Sequence, residues 1–123
     1  MRAWIAVAAL NGFIAMAAGA FAAHALRSRL DAHALQIFET GARYQMYHAL
    51  AMGLATFAMR EQAMAPAEIA AALFLAGIVL FSGSLYLLAL TGTRAFAVVT
   101  PFGGVAFLLG WLSLAWAGLR LTR

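Results

Sequence analysis

The chain reads as an all-α integral membrane bundle of four transmembrane helices, with a short interfacial helix between the first and the second. Two observations predict that class. Four stretches carry no Asp, Glu, Lys or Arg, at residues 3–26, 44–59, 69–93 and 95–119, and together they take up most of the 123 residues. A bilayer core asks for roughly 20 apolar residues per crossing helix. Composition agrees: 66% of residues are hydrophobic and 10% charged, against about a quarter charged in ordinary soluble domains. A water-soluble core of this size has no room for so much apolar surface.

The first span, residues 3–26, opens behind Arg2 and imitates a secretory signal, with Ala20-Phe21-Ala22 at the place of a cleavage site. Its apolar run exceeds the ~7–15 residues of a signal core, so it is expected to stay in the protein. The segment 27–43 is long enough for structure of its own. Around it Leu26, Leu30, Ala34, Ile37 and Phe38 recur at helical spacing opposite Arg27, Asp31 and Glu39, which predicts a helix lying flat at the interface. The second span covers residues 44–59. Pro66 and Glu68 then suit the opening of the next helix, because proline has no amide to lose at a first position. The third span, 69–91, joins the fourth, 95–119, through the tight turn Thr91-Gly92-Thr93-Arg94, so those two should form an antiparallel pair. One domain, residues 1–123, is expected.

Arginine count does not orient the bundle. Arg2, Arg60, Arg120 and Arg123 fall on one side, and Arg27, Arg29, Arg43 and Arg94 on the other, which is a tie under the positive-inside rule. Only the N-terminal amine tilts both termini toward the cytoplasm. Arginines scattered at span ends act as headgroup anchors, so the net charge of +4 does not indicate a nucleic-acid partner. With no cysteine in the chain, disulfides, thiolate metal sites and cysteine nucleophiles are excluded.

Small residues indicate how the helices meet. Ala8, Gly12, Ala15, Gly19 and Ala22 in the first span, and Gly103, Ala106, Gly110, Ser113 and Ala117 in the fourth, each recur at alternating spacings of four and three. Lipid tails give helices no hydrophobic reason to associate, so close backbone approach along such seams must supply the attraction. Whether the seams meet within one chain or between chains stays open at this stage.

Polar groups at membrane depth are costly and point to function by default. Up-down threading brings His24, His48, Tyr86 and Thr100 toward the same membrane face, with Glu39, Arg43 and Arg94 just outside and Tyr44 and Gln45 on the shoulder. Two imidazoles on neighbouring helices can ligate haem iron, and a neutral imidazole can carry protons or hold a quinone carbonyl. The alternative is that each histidine bonds a carbonyl, a tyrosine or water and locks helices together. No cofactor is predicted, haem at His24 and His48 being the one candidate. No metal is predicted either, since these histidines lack a well-spaced third ligand, Glu39 being the only nearby carboxylate and His33 lying on the surface segment. Asn11 is expected to pair across helices, with Ser82 or Ser84 as partners of suitable depth. Ser82-Gly83-Ser84 lacks the strand-to-helix turn of a nucleophile elbow, and Gly103-Gly104 lacks the lysine and strand of a phosphate loop.

Four ordered blocks carry a resemblance. Gly19-Ala20-Phe21 with His24-Ala25-Leu26, then Phe38-x-Thr40-Gly41-x-x-Tyr44-Gln45-x-x-His48-Ala49-Leu50, then Leu80-Phe81-Ser82-Gly83-Ser84-Leu85-Tyr86, and finally Thr100-Pro101-x-Gly103-Gly104-x-x-Phe107-x-x-Gly110-Trp111 resemble the domain of unknown function 423 family. The resemblance implies a small, multi-span bacterial inner-membrane protein and brings no activity, cofactor or catalytic residue with it. The expected function is therefore a non-catalytic structural or accessory component, in contact with lipid and packing through its small-residue seams on itself or on a larger assembly. The alternatives are a haem, quinone or proton-handling site at His24 and His48, or an oligomeric small-solute channel or transporter lined by Asn11, Ser82 and Ser84.

Overall fold

The computed structural model describes residues 2–61 and 64–121. Met1 and Arg123, which entered the orientation count, and Gln62 and Ala63 of the second connector lie outside the described residues. Every regular element among the described residues is helical. Helix α1 is Arg2–Ala23 and leads into a short 3-10 turn, Leu26–Ser28. Helix α2 is Ala32–Arg60. Helix α3, Met64–Gly77, passes through a π-helical turn, Ile78–Ser82, into α4, Gly83–Thr91, as one rod, and α5 is Ala95–Arg120. Three stretches, Arg2–Ala23, Ala65–Thr91 and Ala95–Arg120, are long and apolar enough to cross a membrane. In α2 the polar Tyr44, Gln45, Tyr47 and His48 dilute the apolar half.

The separate interfacial helix expected over 27–43 is replaced by a different arrangement. Asp31 is extended, with φ −68° and ψ 170°, and its carboxylate accepts a 2.8 Å bond from the Ala34 amide, as an N-cap does. From there α2 has no proline to stop it before Arg60. The amphipathic spacing that suggested an independent element thus belongs to the first turns of a longer helix. At the other tight turn Gly92 takes φ +71° and its amide bonds the Leu88 carbonyl at 2.8 Å, the left-handed termination that glycine favours.

Paired positions fix the threading. Gln45 meets Asn11 near mid-α1, whereas Phe38 clusters with Ala22 near its end, so α2 runs antiparallel to α1. Phe74 lies against His48, Phe81 against Tyr44 and Tyr86 against Phe38, so the α3–α4 rod runs antiparallel to α2. Thr100 reaches Ser84 and Ser113 reaches Pro66, which returns α5 along the rod in the opposite sense.

The core is thin and built from small side chains. Phe74, Phe107, Ile78, Met52 and Met59 are its large buried members, set among Ala51, Ala55, Ala58, Ala67, Ala70 and Ala71. A second cluster, Ala22, Leu26, Phe38 and Ala89, closes the end where α1 turns into α2. Both small-residue seams lie mainly against other helices of this one chain, with Gly12 and Gly19 at the edge of the first. Ala8, Ala15 and Ala22 are buried with Gly12 and Gly19 half-buried, and Gly103, Ala106, Gly110 and Ala117 are buried with Ser113 half-buried. The largest apolar side chains point outward instead, Phe13 being 71% exposed and Leu112 68%. Hydrocarbon, unlike water, exacts no penalty for that arrangement.

Candidate functional site

The polar side chains inside the helices form separate pairings rather than one layer. The longest crosses three helices. Tyr86 on α4 donates its hydroxyl to Gln45 Oε1 on α2 at 2.7 Å. Gln45 Nε2 donates to Asn11 Oδ1 on α1 at 3.0 Å, and Asn11 Nδ2 donates to the Val7 carbonyl at 2.9 Å. All three donors point the same way along the chain of bonds, so each polarises the next. Gly41, one turn before Gln45 on α2, makes the first link possible, since a Cβ there would lie 3.0 Å from Tyr86 Cε1. Phe38 supports the same ring at a centroid distance of 4.8 Å. Asn11 therefore pairs with Gln45, and not with Ser82 or Ser84 as depth alone suggested.

His48 belongs to a second group, between α2 and α5. Trp111 Nε1 donates to His48 Nε2 at 3.1 Å, and His48 Nδ1 lies 2.7 Å from the Tyr44 carbonyl. An indole nitrogen only donates and a carbonyl only accepts. Nε2 must then be the acceptor and Nδ1 must carry the hydrogen, which defines the tautomer. The imidazole stacks on Phe107 at a centroid distance of 3.5 Å and an interplanar angle of 6°. Removing the donor while keeping an aromatic ring, Trp111→Phe, is expected to lower stability by about 1 kcal/mol, the cost of a lost interhelical bond. The midpoint of SDS-induced unfolding checks this, with the exposed Trp116→Phe unchanged.

The remaining expected residues divide among other places. Thr100 Oγ1 and Ser84 Oγ lie 2.6 Å apart and tie α5 to α4, with Ser84 also donating to the Phe81 carbonyl at 2.9 Å. Ser113 of the second seam donates to the Pro66 carbonyl at 2.7 Å. Ser82, at 0% exposure inside the π turn, is the buried hydroxyl among the described residues without a partner. His24 is exposed at the end of α1 and lines a groove with Glu39 and Arg43. His48 lines a different cleft of about 810 Å³, walled by Tyr44, Tyr47, Phe81, Phe107 and Trp111, so the two histidines are not brought together. Arg94 lies beside Asp31 and His33 in a third hollow.

Trp111 and Phe107 are the residues that the reading of polar groups missed. A signal was present: an indole N–H inside a span needs an acceptor, and the two aromatics, four apart, share a helix face.

Comparison with known proteins agrees with this architecture. The family model described as "Protein of unknown function (DUF423)" matches residues 18–104. The chain is 42% identical over 118 residues to a UPF0382 membrane protein of Haemophilus influenzae, covering 95% of this chain and 94% of that protein. It is 39% identical to the UPF0382 membrane protein YwdK of Bacillus subtilis, over 98% of each. It is 43% identical to the UPF0382 inner membrane protein YgdD of Escherichia coli, over 99% of this chain and 93% of that protein. No solved structure matches.

Proposed function

The chain belongs to the domain of unknown function 423 family, and on that premise we propose that it is a non-catalytic, structural or accessory component of the bacterial inner membrane that crosses the bilayer four times. One observation carries the reading. Among the described residues, seven polar side chains at membrane depth are engaged with one another: Asn11, Gln45 and Tyr86 in one relay, His48 and Trp111 in a pair, Ser84 and Thr100 in another. The unpartnered Ser82 is sealed at 0% exposure. A catalytic or transport site keeps such groups free for substrate.

The redox alternative draws little support, because both nitrogens of His48 already have partners and iron needs a free lone pair. The channel alternative fares no better, with Asn11 bonded toward α2, Ser84 toward α5, and Ser82, though unpartnered, buried at 0% exposure inside the π turn. Since both small-residue seams are used inside the chain, a partner protein or a second copy would meet the outer apolar faces.

Four crossings require α2 to span. Its 29 residues extend about 44 Å at 1.5 Å per residue, more than the ~30 Å hydrocarbon core, so residues 44–59, about 24 Å, supply most of the crossing and the first turns reach the interface. Because the chain has no cysteine, single substitutions report sidedness cleanly. Ser28→Cys and Thr93→Cys are expected to label from one side with a membrane-impermeant maleimide and Glu61→Cys from the other. Labelling of Ser28→Cys and Glu61→Cys from the same side rejects four crossings. For the accessory role, extraction in mild detergent and mass measurement are decisive: a strict monomer with nothing bound contradicts it.

A further inference from the structure

We propose that the outer face of α1 and α2 holds one phospholipid with an ethanolamine headgroup, its phosphate at Arg43 and His24 and its ammonium at Glu39. The inference goes beyond the structural role above and rests on it only for the membrane crossing of α1 and α2.

The site is a mouth with a trough below it. The mouth, about 610 Å³, lies between the end of α1 and the middle of α2 and is lined by His24, Glu39 and Arg43 together with the apolar Met16 and Met46. Met46 also lines the next hollow, about 310 Å³, which continues along the same two helices past Gly12, Leu50 and Gly53. The trough is open: a Cβ at Gly53 would meet nothing within 4 Å, and one at Gly12 would only touch Met46 Sδ at 4.0 Å. From Arg43 to Gly53 the helix rises about 15 Å. That is half of the ~30 Å hydrocarbon core, the depth of one leaflet and so of one acyl chain.

Charge selects the headgroup. Glu39 and Arg43 stand one helical turn apart on the exposed face of α2, yet among the described residues neither forms an ion pair or a side-chain hydrogen bond. Opposite charges at that spacing usually pair with each other. Left apart, they present one cationic and one anionic group to a ligand that carries both. The guanidinium offers paired N–H donors to phosphate oxygens, and an imidazole N–H of His24 adds one more. The Glu39 carboxylate accepts from an ammonium that has N–H bonds. A choline headgroup has the positive charge but no such bond to donate, and a glycerol headgroup lacks the charge, so Glu39 discriminates against both.

The test is native mass spectrometry of the full chain released from nanodiscs containing equal parts of phosphatidylethanolamine, phosphatidylcholine and phosphatidylglycerol. One phosphatidylethanolamine per chain is expected to stay bound, favoured over each competitor by about fivefold, the scale of one partly exposed charged contact. Glu39→Ala and Arg43→Ala should each erase the preference, and both residues are exposed, so the fold is preserved. Gly53→Leu, which fills the trough, should lower retention of all three lipids. Equal retention of the three lipids, a preference unmoved by both headgroup variants, or a dimer of the chain in place of the lipid overturns the proposal. Failure here leaves the maleimide labelling pattern untouched, and failure of that pattern removes the leaflet depth on which the trough argument depends.

Discussion

A single methyl group added at Gly103 is expected to cost about 3 kcal/mol, the upper range for overpacking a tight contact. The new Cβ would lie 2.7 Å from Phe81 Cα and collide with the Phe81 amide nitrogen. These atoms belong to a backbone, so no side chain can swing aside. Phe81 sits in the π turn, which is held from its other side as well, since the Ser82 carbonyl faces Gly41 of α2. The turn has nowhere to retreat, and α5 must move instead. That motion would stretch three things that hold α5 in place: the 2.6 Å Ser84–Thr100 contact, the Trp111–His48 bond and the Phe107–His48 stack. Gly104→Ala is the control one residue away. A Cβ at Gly104 meets nothing within 4 Å, and alanine is a better helix former by up to about 1 kcal/mol, so that variant should be neutral or slightly more stable. SDS-unfolding midpoints of the two variants reconstituted side by side test the pair. Equal effects would mean that the close approach of α5 to the π turn is not what sets stability.

How far this arrangement could be read from the sequence depends on which force set each part. Helix positions follow from the absence of charge over 3–26, 69–93 and 95–119, because a bilayer tolerates nothing else at that length, and the helices end within a few residues of those bounds. The Thr91–Arg94 turn was legible because Gly92 alone can take the positive φ found there. Residues 27–43 misled for a local reason: charge and apolar spacing describe the environment of a segment, whereas the continuity of α2 was decided by the Asp31 cap and by the lack of a breaker up to Arg60.

The candidate site was legible at the level of residue type and not of partner. Asn11, Gln45, His48, Ser84, Tyr86 and Thr100 all stood out as polar groups in apolar runs, and each has a partner. Depth along the membrane ordered them by level, but partnership also depends on which face of each helix they occupy. His24 and His48, expected at one level, stand at different heights, since Gln45 meets Asn11 while Phe38 meets Ala22, and they line different hollows. The π turn left no signature in the sequence that spacing could detect; Gly103 and Gly41 approach it closely from the two neighbouring helices.

Gln45→Leu is the second substitution expected to have a large effect, a loss of about 2 kcal/mol, because it strands two partners at once. Gln45 is 4% exposed and is the only link between Tyr86 and Asn11 seen among the described residues. Leucine is similar in length and larger by about one methylene, so modest overpacking adds to the loss of the two bonds. The tyrosine hydroxyl loses its acceptor and the asparagine oxygen its donor, and neither has water at hand in a bilayer interior. Tyr86→Phe should cost less, about 0.6 kcal/mol, the average for one interhelical bond in a membrane, since Gln45 still donates to Asn11. The double variant then separates a relay from two independent contacts. If Tyr86 and Gln45 act through the same bond, removing the hydroxyl in the Gln45→Leu background should recover stability, because it takes away a buried donor with no acceptor. Coupling of about 1 kcal/mol in the double-mutant cycle is the expected result. Strict additivity would mean that α1, α2 and α4 are joined by packing alone and that the relay contributes nothing to holding them.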